Sequence, residues 1–330
     1  MSEHVEEFTQ ACSRVEPEDH DVSNASAAHS EVRGVLEKDE TLKGYGIDTI
    51  LIGSYAREVS IRRVNDVDVF SKLSSLPDEI TSTELLQLFM DALEETYDDR
   101  LALQDRSILI DFPESGLHVD AVPARPYGDA WEIPDRVPPG ETEAWQETDP
   151  EELGSKSTAM NKRFGKNYVP VVKLIRQTRR AQLGEARPGG LFFEVLTYHA
   201  FDGMDAEMES ANRPKLYVAA LQSIATQLAD FRDGEDVEDP ALPGKAISIR
   251  ATEAQRATAA TVFADVASRA ASALTATACP SAKTFQDLLG KNSNNEWVFQ
   301  MPTYCNLDGT DKPVAAAASR SVPAGDQRFA

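Results

Sequence analysis

Two hydrophobic periods run along this chain, and the change from one to the other divides it. Residues 1–22 are polar, acidic and weakly periodic, which predicts a loose arm or one short helix. Over residues 24–43 sparse apolar positions (Val32, Val35, Leu36, Leu42) recur at helical spacing and predict one solvent-facing amphipathic helix. Ile50-Leu51-Ile52 is an apolar run stopped by Gly53-Ser54, the pattern of a short buried strand entering a turn. Val64, Val67 and Val69 alternate in part with Asn65, Asp66 and Asp68, predicting a second strand. Leucines at 85, 86, 88 and 93 with Phe89 and Met90 predict a helix over 83–97. The runs SILIDF and LHVDAVPA flank Pro-Glu-Ser-Gly at 113–116, which predicts a hairpin.

Between residues 123 and 165 periodicity fades. Pro, Gly, Trp131, Trp145 and acidic side chains dominate, so this stretch reads as an irregular crossing segment. Helical spacing then returns over 168–182, 191–201, 214–231 and 252–276, separated by Gly and Pro clusters. The first half mixes strand with helix and the second is nearly all helix, with no internal repeat. From residue 308 onward the chain has little apolar bulk and reads as a flexible tail.

Length and charge narrow the function. At 330 residues and 41% apolar, the chain has material for one large domain or two ordinary ones. Its 33 basic and 55 acidic residues leave a net charge of −22. A protein that coats duplex nucleic acid needs a Lys or Arg at each phosphate, so stable duplex binding is excluded. A small anionic substrate is not, because a local basic cleft with bound metal outweighs the global field. No stretch approaches the roughly 20 apolar residues of a membrane span, and MSEHVEEFTQ lacks the apolar core of a secretory signal. Cys12, Cys279 and Cys305 lie far apart without a CxxC pair, which predicts reduced thiols in a cytoplasmic protein and no zinc ribbon.

One constellation carries chemistry. Asp66 and Asp68 are two apart on a strand and so share a face, and Asp120 on the returning arm of the hairpin joins them if that arm pairs alongside. Three converging carboxylates repel one another and raise their pKa values unless a divalent cation lies between them. Oxygen-only ligands suit Mg²⁺ or Mn²⁺, and two such ions activate an attacking hydroxyl and neutralise a leaving pyrophosphate. The Gly53-Ser54 turn fits the same chemistry, since glycine admits phosphate oxygens to the backbone and a following helix start at YARE donates N–H groups. Alone, Asp-Val-Asp is common surface charge and Gly-Ser a common turn; the joint pattern is what points to a site.

GSYAREVSIRRVNDVDVF followed by LHVDAVPA resembles the DNA polymerase β-like nucleotidyltransferase superfamily. With NYVPVVKLIRQTRR, GGLFFEVL and DPALPGK further on, the chain is similar over residues 50–274 to the bacterial CD-NTases, relatives of cyclic GMP–AMP synthase and oligoadenylate synthase. The resemblance implies an α+β fold, with a mixed sheet and helices forming the nucleotidyltransferase core. That core and its N-terminal arm and spine helix would occupy residues 1–165. A mainly helical domain would span 166–307 and a tail 308–330, with a central cleft between two lobes and the first long helix packing on both. It implies Asp66, Asp68 and Asp120 as catalytic and metal-binding residues for two Mg²⁺ or Mn²⁺ ions. Gly53, Ser54, Arg57, Lys173 and Gly190 would contact nucleotide. The family's Ser-Phe-x-x-Glu-like run departs here, with Gly190 in the serine's place and Leu191 in the aromatic's.

The activity so implied joins NTPs, ATP among them, into a cyclic di- or trinucleotide second messenger in antiphage defence. The implied partners are regulatory proteins and a ubiquitin-ligase-like partner acting on the tail. Two other readings stand beside it: a template-independent transferase on RNA of the tRNA CCA-adding type, which the −22 charge disfavours, and a non-catalytic nucleotide-binding regulator. Around the site, Asp111 reads as a structural or solvent-facing carboxylate and His118 as an ordinary strand histidine. Trp131 and Trp145 read as core anchors, with base stacking the alternative. Arg176, Arg179 and Arg180 read equally as a solvated helix face or a wall of the phosphate cleft.

Overall fold

The structure is a computed structural model and describes residues 4–141 and 143–313. Its sheet is built around β5 (Leu117–Tyr127), which runs parallel to β2 (Asp66–Leu73) on one side and antiparallel to β4 (Ile108–Phe112) on the other. β1 (Ile47–Ile52) and β3 (Leu101–Leu103) complete the order β1-β2-β5-β4-β3. Period-two alternation sorts the two faces of the central strands. Odd positions Val67, Val69, Val119 and Ala121 are buried under α2 (Asp19–Leu36) and α5 (Ser82–Tyr97). Even positions carry Asp66, Asp68 and Asp120 at one end and Phe70, Val122 and Ala124 further along. The start of α5 is set by a capping box in which Thr81 and Glu84 each bond the other's backbone N–H.

The stretch expected to be irregular is largely ordered. β5 continues to Tyr127 and is extended by β6 (Ala130–Pro134) and β7 (Trp145–Thr148), after which α6 (Pro150–Arg163) begins at an Asp149 cap. Trp131 packs edge-on to Phe70 at 6.3 Å, which explains the strand that periodicity alone does not show.

The second core is helical. α7 (Tyr168–Leu183), α8 (Gly190–Asp202), α9 (Arg213–Arg232), α10 (Glu253–Thr275) and α11 (Ala278–Leu289) bury a continuous apolar cluster. Of the two readings of the N-terminal segment, the short helix holds and the loose arm does not. α1 (Val5–Val15) inserts Phe8 among Tyr217, Phe285 and Phe299, at ring separations of 5.4, 4.9 and 5.5 Å. Nor does the first long helix bury residues in both cores: Ala25, Ala28, Val32 and Leu36 of α2 all enter the sheet core, and α1 serves the helical one.

The thiols also differ from expectation. Cys279 at the start of α11 and Cys305 are joined in a disulfide, with Cα atoms 5.4 Å apart, leaving Cys12 free and buried. The segment expected to be tail from residue 308 begins as a turn, in which Asp308 accepts bonds from Thr310 and Cys305 bridges to Asp311. Residues 314–330, which include the proposed conjugation end, lie outside the described residues. No helix among the described residues is long and apolar enough to cross a membrane.

Candidate active site

Strand pairing gathers the three aspartates. In the parallel β2–β5 ladder Asp68 stands directly beside Asp120, and Asp66 beside His118 one pleat away. Burial raises Asp68 to about 7, reinforced by repulsion from Asp66 and Asp120 and only partly opposed by Arg57 and Arg176. Asp120 is also raised, by burial first, although the Ser107 hydroxyl bonds it at 3.0 Å.

β1 ends opposite Asp68, and Gly53 follows with φ +77° at the start of α4 (Gly53–Ala56). A Cβ there would fall 1.8 Å from Asp68 Oδ2, so this glycine is needed for the carboxylate as much as for any phosphate. Ser54 Oγ lies 3.0 Å from Ser60 Oγ, and its carbonyl accepts from the N–H groups of Val59 and Ser60, which closes the loop after α4.

Asp66, Asp68, Gly53 and Ser54 line one cleft, of about 400 Å³, whose other wall is helical; Asp120 stands beside Asp68 and is not part of its lining. That volume lies within the roughly 300–1,000 Å³ of small-molecule sites. Gly53, Ser54, Arg57, Asp66 and Asp68 face Arg176 and Gly190, with Gln146, Thr148, Ile133 and Ile247 around the mouth. Arg57 makes a two-pronged buried pair with Glu194 (2.6 and 3.1 Å), and Arg176 lies 3.5 Å from the same carboxylate. Two guanidiniums against one Glu leave one positive charge toward the aspartates and any phosphate. Burial opposes the Arg57 charge, but Glu194 and Asp68 outweigh it and raise its pKa; burial prevails at Arg176 and lowers it despite Glu194.

The structure does not bring Lys173 to this cleft. It is buried against α1 and paired with Glu16, while Arg176, one turn further along α7, faces the site. Gly190 leaves room for it: a Cβ there would come 3.0 Å from the Arg176 guanidinium carbon, so the side chain would have to shift by a few tenths of an ångström. The departure from serine at residue 190 thus goes with an arginine at 176. Arg179 and Arg180 are occupied elsewhere, Arg179 with the carbonyls of Ala186 and Pro188, Arg180 with that of Arg62. Neither Trp131 nor Trp145 lines the cleft; Trp145 lies beneath Arg125, 3.6 Å from its ring centre. His118 Nδ1 is 3.2 Å from Asp111 Oδ1 across the β4–β5 pair. Ser107 and Arg106 are missed by sequence reasoning, since each matters through a partner outside its own turn; Glu194 enters the sequence reading only as the anchor of the family's run, not as the partner of Arg57 and Arg176.

The donor set fits a hard divalent cation. It is all oxygen, and the pKa of its most enclosed member, Asp68, is raised first by burial and then by repulsion from Asp66 and Asp120, a conflict a cation relieves. Among the described residues no group of three or more His, Cys, Asp or Glu is already gathered as a metal cage. Mg²⁺ typically needs none, taking one or two carboxylates and completing its shell with substrate phosphates and water.

Residues 1–161 match the family of the Second Messenger Oligonucleotide or Dinucleotide Synthetase domain. The chain is 24% identical over 255 residues to the cyclic AMP-AMP-AMP synthase of Acinetobacter sp. (strain ATCC 27244 / 9458), covering 72% of this chain and 70% of that one. Its fold is like that of E. coli MS115-1 CdnC, solved in complex with HORMA-deltaN (TM-score 0.66, 20% identity, 88% of this chain and 96% of that one). It is also like Bradyrhizobium diazoefficiens CdnG, a CD-NTase solved in complex with GTP (TM-score 0.67, 15% identity, 86% and 94%).

Proposed function

We propose that the chain is a CD-NTase, within the polymerase β-like nucleotidyltransferases, and that it joins NTPs into a cyclic di- or trinucleotide second messenger with release of pyrophosphate; the match of residues 1–161 to the synthetase domain and the likeness to the Acinetobacter synthase support this reading. The observation that carries this reading is the pairing of Asp68 with Asp120, together with a cleft in which Asp66 and Asp68 face Arg176.

Asp66, Asp68 and Asp120 would hold Mg²⁺ or Mn²⁺, two ions together with the phosphates, supplying the charge that activates the hydroxyl and stabilises pyrophosphate. Asp120 would receive the proton of the attacking ribose hydroxyl. Gly53 and Ser54 bring backbone N–H groups to the triphosphate, and Arg176 meets it from the helical side. Arg57 contributes by holding Glu194, which in turn orients Arg176. Fixing donor and acceptor in this geometry supplies much of the rate of such a transfer. ATP is one substrate, in keeping with the product named for the Acinetobacter synthase. A regulatory protein partner is proposed from the HORMA complex of CdnC, and a role in antiphage defence from the family. Conjugation of the C-terminal end remains a proposal on the sequence alone, as does a cytoplasmic site of action.

The test is incubation of the protein with the four NTPs and Mg²⁺ or Mn²⁺, phosphatase treatment and mass spectrometry, beside an Asp66→Ala/Asp68→Ala control. A phosphatase-resistant cyclic oligonucleotide from wild type alone is the expected result. Product only when tRNA is added would replace this reading with the RNA-transferase one. Silence under every condition, with NTP binding retained, would leave a non-catalytic nucleotide binder.

A further inference from the structure

The turn between β3 and β4 touches the third carboxylate and the far side of the cleft at once. Leu109 is paired with Asp120, so Ser107, two residues earlier, shares the face of that carboxylate. The Ser107 side chain is buried, and its Oγ lies 3.0 Å from Asp120 Oδ1 and 3.0 Å from Gln104 Oε1. A hydroxyl has one proton and cannot serve both oxygens. It goes to the carboxylate, and the Gln104 amide, turned over, donates its NH₂ to Ser107 Oγ.

The same turn is gripped from outside. Arg106 forks onto Asp135 at 2.8 and 3.0 Å and reaches Ser248 Oγ at 3.5 Å. Arg250 donates to Asp105 at 2.8 Å and to Asp135 at 3.0 Å. Ser248 and Arg250 belong to the segment between α9 and α10, whose Ile247 and Ser248 line the cleft together with Arg106. Lys245 of that segment pairs with Glu147 just before α6. Arg250 and Asp105 are both substantially exposed, so their pair adds little to stability. Its effect lies in where it holds the turn.

We propose that Ser107 is a positioning residue for Asp120, and that Arg250, through Asp105 and Asp135, sets that position by fixing the turn against the segment that carries Ile247 and Ser248 of the cleft lining. The inference rests on the nucleotidyltransferase reading above and assigns the reaction a determinant beyond the three aspartates. The cleft wall at Ser248 and the alignment of the carboxylate are then linked, because the four consecutive residues 104–107 touch both.

The test uses the full chain and compares wild type with Ser107→Ala, Ser107→Thr, Arg250→Gln and the Ala/Gln double variant. Readouts are kcat and KM for NTP, Mn²⁺ affinity by electron paramagnetic resonance, and Tm. Residues that orient metal ligands typically change affinity or activity by about 10–100-fold when removed. Ser107→Ala should therefore lower kcat and weaken Mn²⁺ binding by at least roughly tenfold, with KM little changed, and Ser107→Thr should restore most of both. Arg250→Gln should lower kcat by a smaller factor and have no further effect once Ser107 is Ala. If Ser107→Ala does not fold, Ser107→Cys, close in volume with a weak donor, carries the same comparison. Wild-type kcat and Mn²⁺ affinity in the Ser107 variant overturn the proposal. An Arg250 effect equal in both backgrounds overturns its link to Ser107. A wild type that makes no product defeats the proposed function instead, and the Mn²⁺ comparison still decides the role of Ser107.

Discussion

Gly53 and Asp68 meet where a side chain on residue 53 would stand: its Cβ would lie 1.8 Å from Asp68 Oδ2. The positive φ of +77° at Gly53 adds a second reason for glycine. Gly53→Ala should displace the Asp68 carboxylate without unfolding the sheet. A displacement near 1 Å at a reacting centre costs about 100-fold in rate. We expect a kcat loss of that order with a stability loss of only about 1–3 kcal/mol, read from product formation and thermal melting of the same preparation.

Asp68 should cost the metal-free protein stability. Its folded pKa, about 7, lies above its ordinary value of 3.8, so the native state keeps a proton that the unfolded chain releases. Stability from this group therefore falls as pH rises from about 4 to 7, and the full penalty is present above 7. In chelator, Asp68→Asn should melt higher than wild type at pH 8, by an amount on the order of 2–4 kcal/mol, and the gain should shrink toward pH 4. Activity should be abolished at every pH. A wild type that melts above the Asn variant at pH 8 without metal would refute this account.

Arg176 and Lys173 lie one turn apart on α7 and predict opposite phenotypes. Arg176→Ala removes the cation facing the phosphates and should lower kcat/KM by about 100-fold. Lys173→Ala breaks the pair with Glu16, far from the cleft wall, and should change kcat/KM less than about threefold while lowering Tm by a few degrees. Steady-state kinetics on both variants decide the matter, and a reversed order would return the phosphate contact to Lys173.

The Cys279–Cys305 bridge closes a loop of 26 residues in sequence separation. Chain-closure entropy for such a loop is worth about 3–4 kcal/mol. Thiol titration of the denatured, unreduced protein should find Cys12 alone, and reduction should lower Tm by several degrees. Burial pushes the Cys12 thiol up to about 11, so in the folded protein it should react slowly with alkylating agents at pH 8. Three reactive thiols before reduction would show that the bridge is not formed.

The shared face of Asp66 and Asp68 was legible because it depends on a local rule, the period of two along β2; Asp120 joins them only because β5 pairs alongside, a parallel contact distant in sequence that the residues alone state only as a condition. Fold class was legible for the same reason, as Val67 and Val69 against the leucines of α5 already imply a sheet with a covered face. The choice between Lys173 and Arg176 was not. Both are cations on one helix, and only the docking of α1, which brings Glu16 to Lys173, separates them. Phe8 looked like part of a polar arm because its neighbours in the fold lie more than 200 residues away. β6 and β7 were hidden by their shortness and by prolines, and the disulfide by the lack of any local cysteine spacing. Ser107 carries no sequence signal at all until its register against Asp120 is known.

The position of Phe8 also bears on the order in which the molecule is made. The sheet core draws on residues 25–145 and can close once that stretch has left the ribosome. The helical core cannot. Phe8, Ala11 and Val15 wait for Phe285, Val298 and Phe299, so α1, which emerges before every strand of the sheet, is among the last elements to find its place. During synthesis its apolar face stays open while the nucleotidyltransferase half is already assembled. Both halves contribute walls to the cleft, so a nascent chain that stops short of residue 285 carries all three aspartates and lacks part of the core that supports Arg176.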